Sequence, residues 1–521
     1  MPIINLVKDP ANIQKHVETN NRWLALGAFV LLITLLNMSA TIANLTINPI
    51  GKEMGSGLDI LQWILSIYGI AWAVFVVPSG KFADKFGKKK MLILGISVFI
   101  LSSLVCAFSQ EVWLIILGRF VQGVGAAICI PPIYGLVYDK FPIGKRGFPI
   151  GLLGIGTGVG LSIGPTIGGI IMEHLTWPWV YYINIPIGVI ILLVVLFSIR
   201  KESNHVSKSL DLISSLYVAM FVLPFSYGIN NIAIWGIFSY QTLIVVGLVV
   251  AGLVLLSKHS KNVDCPLIPK GTFSNKLYIS TLIGFMVLSF ILGTVLVLIG
   301  LFMSNVLGYT SFHNALIFIA FALVFSLVSP IGGKLSERMD ARIPVTIGLG
   351  ISIVGIITAL FFGLHTSGLY IIIVLALMGF IGLSIAPYNA TMLKAVNKQT
   401  VDSLSGLYNM CGCMGFSIGV VISTNILIQF SGIHLKNILD ASNIHLSKVK
   451  MQEFEALINS PHRHLEGIAQ ATNLSKEKIT LFLNESFLHG FNASMYTIIG
   501  AGLVAILLTI LWMKVPKQIV K

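Results

Sequence analysis

Charge is what this 521-residue sequence has least of: Asp, Glu, Lys and Arg together make up 10% of it, against about 25% in soluble domains. So thin a polar surface excludes a water-soluble globular protein of this size. Cysteine is scarce as well. Of the five, Cys106, Cys129, Cys411 and Cys413 lie inside apolar runs and Cys265 in a basic loop. That placement argues against a disulfide framework, and Cys411-x-Cys413 reads as two small packing residues. No cleavable leader is expected, because residues 1–21 are polar and the apolar run after them is too long for an h-region.

What is abundant is apolar and small. Hydrophobic residues make up 55%, with 50 glycines and 16 methionines, a composition suited to helices that pack closely without water driving them together. Apolar runs fall near 24–50, 59–79, 91–109, 112–138, 148–172, 179–199, 211–229, 235–257, 277–303, 313–332, 343–364, 368–388, 404–430 and 489–513. Each can cross about 30 Å of hydrocarbon at about 1.5 Å per residue. The expected fold is therefore an all-α integral membrane protein of about 14 transmembrane helices. With the N-terminus inside, 26 of the 34 Lys and Arg residues fall in cytoplasmic segments, six in the long loop 431–488, one (Lys52) in a short outer loop and one (Arg119) within a span. This asymmetry predicts both termini in the cytoplasm of a bacterial inner membrane, with lipid as a partner. It also spreads the net charge of +14 over alternate turns, not the contiguous patch that nucleic acid requires.

The chain repeats itself. The turn Gly80-Lys81-Phe82-Ala83-Asp84-Lys85-Phe86-Gly87-Lys88-Lys89 recurs 253 residues later as Gly333-Lys334-Leu335-Ser336-Glu337-Arg338-Met339-Asp340-Ala341-Arg342. A twofold repeat with a solute site between the halves is a common transporter plan. The expected division is a cytoplasmic segment 1–22, a six-helix bundle 23–202, two inserted helices and a linker 203–276, and a second six-helix bundle 277–521. The outer loop 431–488, with helix-like stretches at 449–459 and 475–488, is either a small ordered cap or a flexible connector.

Three segments carry more than hydrophobicity. In the turn at 80–90, Gly80 and Gly87 permit tight reversal, and Asp84 lies among five lysines, Lys88 included, where it can meet a helix dipole. The bland reading is a basic loop obeying the positive-inside rule. In the fourth span, Arg119 with Gln122 and Gly123 puts a guanidinium some seven residues into hydrocarbon, where it must face a partner or cavity, or snorkel outward. In the fifth, Gly156, Gly160, Gly164 and Gly168 recur every fourth residue beside Pro165 and Gly169. They form a bare packing groove, with a bend where proline removes a hydrogen bond.

Together these segments resemble the major facilitator superfamily and, within it, the fourteen-helix drug:proton antiporter family. Residues 80–90 resemble the signature between helices 2 and 3, Arg119-x-x-Gln122-Gly123 the helix 4 motif, and Gly160-x-x-x-Gly164-Pro165-x-x-Gly168-Gly169 the helix 5 antiporter motif associated with exporters. Further matches include Tyr182-Ile183-Asn184-Ile185-Pro186 and Gly406-Leu407-Tyr408-Asn409. The resemblance implies alternating access, two bundles rocking about a midplane site. The sequence departs from the family where the family carries charge. Its helix 1 acid is Ser39 here, a helix 13 arginine is Gly412, and the outer Trp-Arg-Trp is Trp177-Pro178-Trp179.

None of the 20 Asp and Glu residues falls mid-span on these boundaries, and no histidine does. A cationic solute wants a carboxylate, so a neutral or anionic one fits better, with protons as a candidate counter-ion. Asn37, Thr41, Asn44 and Asn48 form a polar stripe on helix 1. Together with Arg119, Tyr388 and Asn409 they are candidate solute ligands; the stripe reads equally as hydrogen-bonding glue between helices. The reading is a secondary transporter, not an enzyme, without catalytic residues, metal or cofactor, exporting a small amphipathic or anionic organic molecule. The rivals are a dedicated metabolite or siderophore carrier working in either direction and, of another class, a membrane enzyme on lipid-linked substrates. The sequence sets no oligomeric state.

Overall fold

A computed structural model describes residues 10–199, 211–236, 239–263, 266–442 and 474–513, with scattered positions between 444 and 472. In order, α1 is Pro10–Ile42, α2 Leu58–Phe86, α3 Lys88–Ala107, α4 Val112–Lys140, α5 Gly147–His174 and α6 Asn184–Ser198. The inserted pair is α7 Leu212–Trp235 and α8 Tyr240–Asn262. There follow α9 Lys276–Asn305, α10 Ser311–Arg338, α11 Arg342–Ala359, α12 in two pieces (Gly368–Gly379 and Gly382–Ala395), α13 Val401–Ala441 and α14 Lys476–Trp512. Among the described residues 13 helices are long and apolar enough to cross a membrane, and the shorter apolar run Ile213–Ile229 within α7 supplies the fourteenth of the expected set.

Local chemistry sets the ends. Asp211, Ser239, Asn275, Thr310, Ser367 and Ser475 each accept a backbone N–H three residues on, satisfying a donor that the first turn leaves free. Gly87, at φ 98°, makes the reversal between α2 and α3, a conformation that a side chain would strain. Four cysteines, Cys106, Cys129, Cys411 and Cys413, are free.

Helices α1–α6 pack into one bundle and α9–α14 into the other, with α7 and α8 forming a hairpin against α2 and α13. The bundles meet chiefly along two pairs, α5 with α10 and α2 with α13, which the 253-residue repeat relates to each other, with α12 on α5 and α13 on α4 beside them. Large apolar side chains of α8, such as Leu243, Ile244 and Val250, are exposed along its length, as a surface facing lipid should be.

Two expectations change. Residues 431–441 and 476–488 are not loop: α13 runs 41 residues, about 62 Å at about 1.5 Å per residue, twice the hydrocarbon thickness. Phe454, Ile468, Ile479 and Leu483 are buried around the prolonged ends, and most of 443–473 lies outside the described residues. The expected stretch 475–488 falls in the start of α14, whereas most of 449–459 lies outside the described residues. The first span also breaks. Its α-helix ends at Ile42, and Ala43–Thr46 is a tighter 3-10 turn before Ile47–Met54, so Asn44 and Asn48 leave the register of Asn37 and Thr41.

Candidate functional site

The two repeated turns lie at the same end of the molecule, here called the basic end, and each reaches across to the other bundle. Gly80 brings α2 so close to α13 that a Cβ there would stand 2.5 Å from the Asp402 carbonyl oxygen. Four residues on, Asp84 accepts the Ser403 hydroxyl at 2.6 Å. In the other repeat, a Cβ on Gly333 would stand 2.1 Å from the Gly147 carbonyl oxygen, and Glu337 accepts the Phe148 N–H at 2.8 Å. In both repeats the acid meets the first turn of a helix in the opposite half, where free N–H groups favour negative charge.

Around the first of these contacts sits a charge cluster. The Lys88 ammonium pairs with Asp139, lies 3.7 Å from Asp402 Oδ2 and donates to the Gly135 carbonyl at 3.4 Å. Asp402 is fully buried, its Oδ1 packed where a Cβ on Gly135 would be. Sequence reasoning missed this residue, because the polar run Asn397-Lys398-Gln399-Thr400 before it reads as an inner loop.

Arg119 is also fully buried, inside the first bundle. Its Nε donates to the Ile64 carbonyl at 3.0 Å. Nη1 reaches Gln122 Oε1 at 2.6 Å and both the Ser39 hydroxyl and carbonyl at 3.3 Å. The guanidinium lies 4.3 Å from the centre of the Tyr68 ring, and Tyr68 in turn donates to the Leu36 carbonyl at 3.0 Å. From Gln122 the chain continues to Ser103 at 2.6 Å, which Asn184 also reaches at 3.5 Å. A polar relay thus links α1, α4, α3 and α6. The cation expected to need a partner has protein oxygens on three sides, and only Nη2 is left without an acceptor among the described residues. Ser39, where the family carries an acid, touches the guanidinium directly.

The glycine row of α5 packs on α1. A Cβ on Gly156 would meet the Val30 carbonyl at 2.5 Å, one on Gly160 the Asn37 Cβ at 2.8 Å, one on Gly164 the Thr41 hydroxyl at 2.0 Å and one on Gly168 the Ile42 side chain at 2.8 Å. Gly169 turns the other way, toward Phe312 at 3.3 Å, and Pro165 is accommodated within a continuous helix. A second row, Gly147, Gly151, Gly154 and Gly158, faces Gly333, Pro330, Ser329 and Phe325 of α10, so one helix carries close contacts both within its bundle and between bundles. Gly123 similarly lets α4 approach Tyr68 of α2.

The helix 1 stripe bonds backward, not across. Asn37 donates to the Ile33 carbonyl at 2.8 Å, Thr41 to Met38 at 3.2 Å and Asn44 to Thr41 at 3.0 Å. Asn37 and Thr41 are half-buried under the α5 glycines, Asn44 is exposed, and the Asn48 side chain lies outside the described residues. Of the other two candidates, Tyr388 is fully buried inside the second bundle, its hydroxyl 2.6 Å from Thr509, away from the seam between the halves. Asn409 is on α13, which packs against α4 of the other bundle, and its amide donates to the Ser405 carbonyl of its own helix at 2.8 Å. No space exists for a helix 13 arginine at Gly412, because the Phe285 ring, stacked on Tyr408 at 4.3 Å, would stand 2.3 Å from its Cβ.

A sequence profile of the Major Facilitator Superfamily matches residues 27–420. The chain is 24% identical over 488 residues, 93% of its length and 90% of the relative's, to multidrug resistance protein Stp of Mycobacterium tuberculosis. It is 26% identical over 416 residues, 78% of its length and 89% of the relative's, to the riboflavin transporter RibZ of Clostridioides difficile. Its fold superposes on the crystal structure of the human organic anion transporter MFSD10 with a TM-score of 0.61 and 12% identity, covering 94% of this chain and 99% of that one. Two six-helix bundles joined by repeated acidic turns, with a sequence match along most of the chain, place it plainly: this protein is a member of the Major Facilitator Superfamily of transporters.

Proposed function

We propose that this protein is a secondary transporter of the bacterial cytoplasmic membrane, with the basic end inside. On this reading it works by alternating access and exports a small amphipathic or anionic organic solute in exchange for protons. The observation that carries the mechanism is the pair of symmetry-related acid-to-helix contacts, Asp84 to Ser403 and Glu337 to Phe148. These contacts bridge the bundles at the basic end and can break as a unit, which supports a reading as the state closed toward the cytoplasm. The export direction follows from the helix 5 motif and from the relative named for multidrug resistance. The solute class follows from Ser39, fully buried where a carboxylate would receive a cation, and from the spare donor on Arg119. An apolar groove of about 490 Å³ between α1, α5 and α6, lined by Trp23, Gly27, Leu152 and Ile191, suits the apolar part of an amphipathic solute.

Purified protein in oriented proteoliposomes tests this. Amphipathic and anionic dyes are expected to drive proton movement that cationic dyes do not. A second reading, a dedicated metabolite carrier, is favoured by the relative named for riboflavin, and would be supported by solute counterflow without proton movement. For orientation, a reporter cysteine at exposed Ser274 should be labelled from inside only and one at exposed Lys436 from outside only.

A further inference from the structure

At the basic end, Arg22 of α1 lays its guanidinium against two aromatic rings, 5.8 Å from the centre of Trp23 and 5.5 Å from that of Phe141. Its Nε is buried without a hydrogen-bond partner among the described residues. Contact with ring faces satisfies the charge of a guanidinium in part and leaves the N–H donors around its edge to be used by an anion. The turn 141–147, which carries Phe141, adds positive charge and no acid. Lys145 there is exposed, and Arg146 is already engaged, donating to the Phe141 and Tyr138 carbonyls at 3.0 and 2.8 Å. The nearest acid before the turn, Asp139, is paired with Lys88. A rim of one sign attracts an anionic headgroup and repels the ammonium of a zwitterionic one.

The apolar groove between α1, α5 and α6 begins beside this cation. Trp23, one of the two rings against Arg22, lines it, as do Gly27 and Leu31 farther along α1 and Leu152 and Val194 on the facing helices. From Trp23 to Leu31 the helix advances about 12 Å at about 1.5 Å per residue, which stays within the about 15 Å of hydrocarbon that one leaflet supplies. Gly27 is exposed, and a Cβ on it would meet no atom within 4 Å. Open space therefore stands over this glycine, unlike those of α5, which press on a neighbouring helix. Leu31 and Ile190 are each more than half exposed. A cation at headgroup depth above an apolar slot one leaflet deep has the profile of a phospholipid.

We propose that this groove binds an anionic phospholipid of the inner leaflet, one acyl chain lying along α1 between Trp23 and Leu31 and the phosphate on Arg22. The assignment to the inner leaflet rests on the reading above that the basic end faces the cytoplasm. The guanidinium edge supplies paired donors to phosphate oxygens, and the acyl chain covers the bare backbone at Gly27. All three walls belong to the first bundle, so the site keeps its shape while the bundles rock. A solute whose apolar part uses the groove has to displace this lipid.

The test places the full-length protein in vesicles of equal parts phosphatidylglycerol and phosphatidylcholine, with a trace of one or the other carrying a photoreactive diazirine on its acyl chain. Both leaflets hold both lipids, so the readout does not depend on which way the protein inserts. Peptide mapping is expected to find the 23–31 segment labelled about fivefold more by phosphatidylglycerol, the preference that one cation at a membrane surface gives. The exposed face of α8 around Leu243 and Val250 serves as the control for lipid that merely surrounds the protein, and should show no such preference. Arg22→Gln should bring the groove down to the phosphatidylcholine level and leave α8 unchanged, while Arg22→Lys keeps most of the preference. Gly27→Leu, which fills the open space without meeting protein, should cut labelling of the segment by both lipids at an unchanged melting temperature. Equal labelling by the two lipids in the parent, or a Gly27→Leu protein labelled like the parent, overturns the proposal. So does a groove labelled by a photoreactive amphipathic dye but not by phosphatidylglycerol, which would give it to the solute. A protein that selects phosphatidylglycerol here yet moves no solute keeps this site and loses the transport reading.

Discussion

The Glu337 carboxylate accepts the backbone N–H of Phe148 at 2.8 Å, tying the end of α10 to the first turn of α5 in the opposite bundle. On the other side of the pseudo-twofold axis Asp84 likewise meets the first turn of a helix in the opposite bundle, accepting the Ser403 side-chain hydroxyl at 2.6 Å. Two turns 253 residues apart in sequence thus close the same face with the same chemistry, an acid against the positive end of a helix.

Asp84→Asn and Glu337→Gln should each fold, because neither carboxylate is a core-filling group. Each should weaken closure, since a neutral amide keeps an acceptor but loses attraction to the helix end worth about 1–2 kcal/mol, roughly tenfold in the closed-to-open ratio. Alkylation of a cysteine placed at the seam, at Ser336, measures this. Unchanged labelling in both variants, with transport at the parent rate, would reduce the turns to insertion signals.

Glycines at the seam should separate opening from folding. A methyl on Gly147 would sit 2.2 Å from the Gly333 carbonyl oxygen and one on Gly80 2.5 Å from that of Asp402, and both obstacles are backbone. Gly80→Ala and Gly147→Ala are expected to express and bind solute while failing to close, so that turnover falls far more than thermal stability. Wild-type turnover in either would mean that the bundles never approach this closely.

Inside the first bundle the outcome differs. Gly164→Leu drives a side chain into Thr41, whose hydroxyl would be 2.0 Å from the new Cβ. It should lower the melting temperature in detergent by an overpacking cost of about 1–3 kcal/mol. Ile163→Leu, on the partly exposed neighbouring face, should be neutral. Equal melting of the two variants would show that α1 can yield.

The helix count and the two halves were legible because runs of apolar residues long enough to span a bilayer have few soluble alternatives. The acidic turns were legible because they repeat. Asp402 was not, since two residues into a helix after a polar run it looks solvated; only the glycines at 80 and 135 folding over it bury it. The length of α13 was hidden by the polar residues His434, Lys436 and Asn437, which suit a helix leaving the membrane as well as a loop. The stripe on helix 1 assumed an unbroken α-helix, and nothing in Ala43-Asn44-Leu45-Thr46 announces the tighter turn found there. The second glycine row of α5 could have been read from its spacing of four, three and four residues, the small-residue pattern of a helix interface.

Arg119 offers the sharpest test of solute charge. Its guanidinium makes planar, directed contacts with Ile64, Ser39 and Gln122 and stacks on Tyr68. An ammonium can replace the charge but not that fork. Arg119→Ala should abolish transport by stranding the acceptors of the relay, and Arg119→Lys should keep a fraction of activity. Arg119→Gln keeps a hydrogen-bonding amide without the charge. If the unpartnered Nη2 meets an anionic solute when the bundles rock, this variant should fold, yet lose anion affinity by at least tenfold while neutral solutes are less affected. Unchanged affinity would make the relay purely structural. Ser39→Asp completes the set. With the Ser39 hydroxyl 3.3 Å from Nη1, a carboxylate at that position would pair with the guanidinium and neutralise the charge that an anionic solute would meet. Anion transport should fall, cationic dyes should be admitted, and the pH profile of transport should acquire a new titrating step. A Ser39→Asp protein that still prefers anions, with an unchanged pH profile, would place the solute path away from α1 and α4 altogether.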